Sequence, residues 1–223
     1  MTSPFTLSEK IVVIAGGTGG LGTALRNELV AQGSVVTTVS REHAPDTSHI
    51  TADLRSPEAA STALTEVIAR HGSIDMVINA VGVVAFEPII STNVDTIEEL
   101  FLTNTFAHIF LMQAALQHVT QGSVLVGVSG VIAEQNLPGM AAYGASKAAV
   151  RSFNEALARE ARRIGVRVID ARPPHTETGL ASRAIAGTAP RFPTGLDPSD
   201  VAQRIVKAIS NGEFDIPSSE FLV

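Results

Sequence analysis

The sequence predicts an α/β fold, a single domain in which one doubly wound parallel sheet carries helices on both faces. Three observations predict it. Short apolar, β-branched runs alternate about six times with segments of helical period, without an internal repeat. The first run leads straight into a glycine-rich turn and a helix. Polar residues suited to chemistry stand just past the ends of later runs, and ligands of open α/β sheets bind outside those carboxyl ends.

Ile11 to Ala15 reads as the first strand, covered on both faces. GGTGGLG follows, then Leu21, Leu25 and Leu29 at a spacing of four with Gly33 as a helix stop. Such a turn lets backbone approach a pyrophosphate, which the unpaired N–H groups of the helix N-terminus can hold. The segment satisfies G-x-G-x-x-G through Gly17, Gly19 and Gly22, and equally G-x-x-x-G-x-G through Gly16, Gly20 and Gly22. Val35 to Val39 is the second strand, ending in Ser40 and Arg41. An acid is expected there for a free ribose 2′-OH and a cation for a 2′-phosphate. The cation is present and the acid is missing. Arg41 therefore reads as a phosphate ligand with Ser40 as a second donor, the alternative being a solvated loop charge.

Ile50 to Ala52 is a short third strand before Asp53, and Ser56, Pro57 and Glu58 start a helix that runs to His71. Asp75 to Asn79 is the fourth strand. Asp95 and Glu98 suggest a capping box for the next helix, whose apolar face is Ile97, Leu100, Phe101 and Leu111. Asn104 and His108 interrupt that face; Asn104 is either a satisfied core group or part of a site. His108 has no partner at ligand spacing and reads as packing rather than metal. Ser123 to Val128 and Val166 to Asp170 are the fifth and sixth strands. Arg172 to Pro198, rich in proline and glycine, reads as a substrate loop. Asp197-Pro198 caps a last helix to about Ser210, and Phe214 to Ile216 adds an edge strand.

In the Ala-rich stretch AAYGASKAAV, Tyr143 and Lys147 share a helix face. A nearby ammonium favours a phenolate, which would make Tyr143 usable as an acid or base near neutral pH. Taken alone the pair reads first as an ordinary partly buried aromatic and a solvated helix lysine; the rest of the chain changes that.

Composition narrows the classes. The net charge of −6 and pI near 5.5 argue against nucleic acid or an anionic membrane as main partner. No Cys occurs, which removes disulfides and thiolate chemistry. MTSPFTLSEK is not a secretory signal and no apolar run is long enough to span a bilayer, so a cytoplasmic setting is the expectation.

GGTGGLG, Asp53, Asn79-Ala80, Asn104, Ser129 and Tyr143-x-x-x-Lys147 occur in one order over nearly the whole chain. In that order and spacing the chain resembles the classical short-chain dehydrogenase/reductase family. The resemblance implies a Rossmann fold with strand order 3-2-1-4-5-6-7. It also implies hydride transfer between a nicotinamide cofactor, NADP(H) in preference to NAD(H) given Arg41, and an alcohol or carbonyl compound. By it, Gly16, Gly20, Leu21 and Gly22 contact the cofactor, Asp53 and Leu54 face the adenine, and Asn79 and Ala80 sit beside the adenine ribose. Thr178 lies near the nicotinamide amide. Tyr143 is the acid/base, Lys147 lowers its pKa and holds the nicotinamide ribose, and Asn104 positions a relay water. No metal is implied. Dimers or tetramers are, joined through the helices that carry Asn104 and Tyr143; Phe153, Leu157 and Ala161 could form that stripe or the core face of a monomer.

Three positions depart from the family pattern. Ala15 replaces the usual Thr before the first glycine. The catalytic Ser commonly lies thirteen positions before the Tyr, and here that position is Gly130; Ser129 is the nearest hydroxyl and is expected to hold the substrate oxygen. Pro173-Pro174-His175 replaces the usual Pro-Gly. The substrate pocket is expected to include Phe86, Ile132, Ala133, Leu137, Met140, His175 and Leu180, apolar enough for a carbonyl compound with a hydrophobic body. The Gly130 anomaly motivates a second reading, a catalytically weak cofactor-binding sensor or scaffold.

Overall fold

Buried apolar residues alternate between two cores along every central strand, because successive side chains of a strand point to opposite faces. In the computed structural model, which describes residues 5–221, β1 (Ile11–Ala15) sends Val13 and Ala15 to one face and Val12 and Ile14 to the other. β4 (Met76–Asn79) and β5 (Val124–Val128) divide in the same way. Alternation between two apolar faces is what a parallel sheet covered on both sides requires.

The sheet contains β1, β2 (Val35–Ser40), β3 (His49–Thr51), β4, β5, β6 (Arg167–Ala171) and β7 (Asp215–Ile216), all parallel, in the order 3-2-1-4-5-6-7. One face is covered by α1 (Gly20–Ala31) and α6 (Pro198–Asn211). The other carries α2 (Pro57–His71), α4 (Ala107–Ala115) and α5 (Ala141–Ala161). Removing a fully buried side chain such as Ile14 or Leu111 down to Ala would cost about 2–5 kcal/mol.

Local signals place most boundaries. Ser56 accepts the Ala59 N–H and Gly72 closes α2 in the left-handed region, while Asp197 caps α6 through Ser199 N. The expected Asp95 capping box is not formed. α3 (Val94–Leu100) is capped two residues earlier, by Asn93 accepting the Asp95 N–H at 3.0 Å. The helix does not run evenly past Asn104 either: Phe101–Phe106 is π-helical, a local widening that recurs at functional sites.

Phe153, Leu157 and Ala161 belong to the core beneath α5, so this stripe is a monomer's core face and not free surface. Residues 172–197 are tied down at two places. A parallel pair joins Ala85–Phe86 to Ala186–Gly187, and a bridge joins Thr176 to Leu196. Among the described residues no helix is long and apolar enough to cross a membrane.

Candidate active site

The carboxyl ends of β1, β4 and β5 open into one cavity of about 240 Å³, roofed by the 172–197 segment. Gly20, Leu21, Gly22, Ala80, Phe86, Ser129, Ile132, Leu137, Met140, Tyr143, Lys147, His175 and Thr178 all border it. So does Leu180, whereas Ala133 does not. Sequence reasoning missed Phe192, whose ring lies 4.9 Å from His175 and 5.9 Å from Phe86 and completes an aromatic wall. No periodicity marks it, because it sits in the long irregular segment.

The glycine turn is shaped by close approach. A Cβ on Gly16, whose φ is +75°, would come within 2.9 Å of the Ala80 backbone, and one on Gly22 within 2.1 Å of Gly16 O. A Cβ on Gly20 would meet Thr178 backbone at 2.7 Å, so the roof rests on the start of α1. Gly19 caps that helix without a side chain, and its first turn holds no acid. Bare N–H groups and the positive end of the helix dipole make a cradle for a phosphate. These residues fit the pyrophosphate of a dinucleotide.

Tyr143 and Lys147 project from one face of α5 into the cavity. The lysine Nζ donates to Val128 O at 2.9 Å. Burial pushes Lys147 down to about 8 and the Tyr143 phenol up to about 12. The expectation that Lys147 draws the tyrosine pKa down is therefore not met: desolvation is the cause that moves Tyr143, and the ammonium is engaged by a carbonyl. A phenol in this setting keeps its proton at neutral pH.

The family model for short chain dehydrogenases matches residues 10–188. The chain belongs to the short-chain dehydrogenase family. A zebrafish (Danio rerio) dehydrogenase/reductase SDR family member 7B is 29% identical over 94% of this chain and 77% of its own. A hydroxynaphthalene reductase of Aspergillus fumigatus is 28% identical over 92% of this chain and 79% of its own. Among solved structures, Thermoplasma acidophilum aldohexose dehydrogenase superposes with TM-score 0.85 at 20% identity, covering 97% of this chain and 94% of that one. A Burkholderia cenocepacia short-chain dehydrogenase in complex with NADP gives 0.82 at 23% identity, covering 96% and 97%. At such identity these two establish the fold alone. Like the dehydrogenases and reductases among its relatives, this short-chain dehydrogenase is an oxidoreductase acting on CH–OH or C=O groups.

The departure from the family pattern at Gly130 lies just past β5. Gly130 has φ +87° and ψ 163°, a conformation that L side chains rarely adopt, so the backbone there suits glycine and not serine. Its N–H is bonded to Ala171 O, and that of Val131 to Pro173 O. Ser129 does not take over as expected. It is fully buried, and its hydroxyl donates to Asp170 Oδ2 at 2.8 Å, which spends its only proton away from the cavity.

Behind this serine runs a chain of buried hydrogen bonds with one direction throughout. Val81 N–H donates to Asn79 Oδ1 and Asn79 Nδ2 to His108 Nδ1; His108 Nε2 then donates to Asn154 Oδ1 and Asn154 Nδ2 to Asp170 Oδ1. That assigns the His108 tautomer, and burial drives its pKa down to about 4. Asn79 thus shapes the Ala80–Gly82 loop from below; its side chain is turned inward and not toward a ribose. Asn104 is likewise saturated, bonding both backbone groups of Val83 and donating to Ser146 Oγ at 2.9 Å, so its side chain has no donor left for a relay water.

The adenosine end lies outside the cavity lining. Leu54 is part of the core. Arg55 forks onto both oxygens of Asp53, holding that carboxyl below the usual range. The Ser40 hydroxyl donates to Glu42 O and so is not free for a phosphate as expected. Arg41 lies 3.7 Å from Glu99, an acid supplied by α3.

Proposed function

We propose that this protein reduces a carbonyl compound with a hydrophobic body, using NADP(H) in preference to NAD(H), with Tyr143 as the proton donor. The reading rests on the junction of the Tyr143–Lys147 pair, the glycine cradle and an apolar wall in one cavity. Bound nicotinamide dinucleotide would supply or accept the hydride. Gly20 and Gly22 with the α1 N-terminus would hold its pyrophosphate, Thr178 its amide, Lys147 its nicotinamide ribose, Asp53 and Leu54 its adenine, and Arg41 its 2′-phosphate. Asn79 and Ala80 would back the ribose through main chain.

Tyr143 would donate its proton to the substrate oxygen as negative charge develops there, a contribution of about 10²–10⁴ in rate. A phenol that stays protonated suits reduction better than oxidation. Phe86, Ile132, Leu137, Met140 and His175 would bound the substrate body. Asn104 would contribute by fixing the Val83 backbone through its amide, not by holding a relay water with it. The exposed Leu102 and Phe106, with Phe110 stacked on the latter at 6.1 Å, would form the contact in a homodimer or homotetramer.

A second reading, an NADP(H)-binding sensor with little turnover, is favoured by one observation, the absence of a hydroxyl at 130. Incubation with NADPH and a panel of ketones and aldehydes separates the two. Turnover that falls at least about 100-fold in Tyr143→Phe, with cofactor affinity kept, supports the reductase. Tight NADPH binding without turnover on any substrate supports the sensor.

A further inference from the structure

At the end of β2, where a cation takes a 2′-phosphate and an acid takes free ribose hydroxyls, this chain assembles both. Arg41 directly follows β2. Glu99 comes from α3, and its carboxylate is held from two sides: Arg55 Nη1 donates to Oε2 at 2.8 Å, and Thr103 Oγ1 donates to Oε1 at 2.7 Å. Arg41 Nη1 stands 3.7 Å from Oε1, too far for a firm hydrogen bond, on a side chain that is half exposed. Arg55 is also committed to Asp53 by its Nε and Nη2. Two guanidinium groups and two carboxylates therefore cancel, and the region presents no net positive charge.

We propose that Glu99 is a built-in competitor for the ribose 2′-phosphate at Arg41, and so keeps discrimination between the two nicotinamide dinucleotides low. The proposal rests on the reading of this pocket as a dinucleotide site. A phosphate brings nearly two negative charges and binds best to a guanidinium through two parallel hydrogen bonds. With half of its side chain exposed and no hydrogen bond to Glu99, Arg41 can turn toward it. Glu99 is not free to leave, because Arg55 and Thr103 anchor both of its oxygens. The phosphate must then bind beside a fixed carboxylate, whose repulsion offsets part of the attraction to Arg41. A ribose with a neutral 2′-hydroxyl meets no such repulsion. With both oxygens engaged by Arg55 and Thr103, Glu99 acts chiefly on the phosphate-bearing cofactor.

The test measures binding of two fragments, adenosine 2′,5′-bisphosphate and 5′-AMP, by calorimetry on the full chain. The ratio of their affinities is the readout, and 5′-AMP binding by each variant reports that it is folded. Glu99→Gln keeps an acceptor for Thr103 and removes the charge. It should tighten the bisphosphate about three- to tenfold and leave 5′-AMP within about twofold. Thr103→Val, which loosens one tether and alters no charge, should move the ratio the same way by a smaller factor. Arg41→Ala should bring the bisphosphate down to the affinity of 5′-AMP. A ratio that neither Glu99→Gln nor Thr103→Val shifts would overturn the proposal while leaving the dinucleotide reading intact. Failure of the unmodified chain to bind either fragment at millimolar concentration would overturn both.

Discussion

Ser129 Oγ donates a 2.8 Å hydrogen bond to Asp170 Oδ2, and the same carboxylate oxygen accepts one from Arg172 Nη1 at 2.6 Å. The serine next to Gly130 thereby serves an ionic cluster built on the buried Asp170–Arg172 pair, in which Arg172 also pairs with Asp215 and Glu134. Ser129→Ala should accordingly act on stability: deleting one donor to a buried carboxylate costs about 1–3 kcal/mol. Denaturant melts should show that loss while kcat changes little. A hundredfold drop in kcat at unchanged stability would return Ser129 to the site.

The pH dependence expected in each direction follows from the protonation of Tyr143. With its pKa pushed up to about 12, Tyr143 is protonated through the neutral range and must lose its proton to act as a base. Reduction should be nearly independent of pH between about 6 and 8, and oxidation of the product alcohol should climb as pH rises past about 9. Stopped-flow rates in both directions check this. Oxidation with a plateau near pH 7 would mean that bound cofactor resets the phenol.

His108 makes stability depend on acid. It is neutral in the fold, with pKa about 4 against 6.5 for the free side chain. Between those values the unfolded chain binds the extra proton, so stability falls as pH drops from 6.5 toward 4 and is fully present above 6.5. The gap corresponds to about 3 kcal/mol as an upper figure. His108→Gln should flatten the slope of unfolding free energy over that window, even if it lowers the overall value. An unchanged slope would assign the acid sensitivity to other groups.

Assembly should respond to the exposed apolar strip on the Asn104 helix. Phe106 is 44% exposed and sits one helical turn from Leu102 and Phe110. Light scattering on Phe106→Glu should give a monomer if the strip joins two copies, because a charge in an apolar contact is poorly tolerated. The same mass before and after the substitution would exclude this face.

The sequence by itself determined what local chemistry decides. Short apolar, β-branched runs mark β1 through β7 to within a residue, and 3.6-residue patterning marks α1, α2 and α6, since each element's apolar residues are written in its own sequence. The glycine turn, the Ser56 and Asp197 caps and the four-residue spacing of Tyr143 and Lys147 are legible for the same reason. Only tertiary structure decided who meets whom across elements. Asp170 claims the Ser129 proton because β5 and β6 pair in register at Val128 and Ala171. Glu99 reaches Arg41 because α3 brings it beside the residues that follow β2 and β3, and Phe192 joins the wall only through the path of an irregular loop. Charge balance, proton ownership and desolvation depend on distances between remote residues. No window of sequence contains those distances, so the acid opposite Arg41 and the upward shift of Tyr143 appear only in the folded chain.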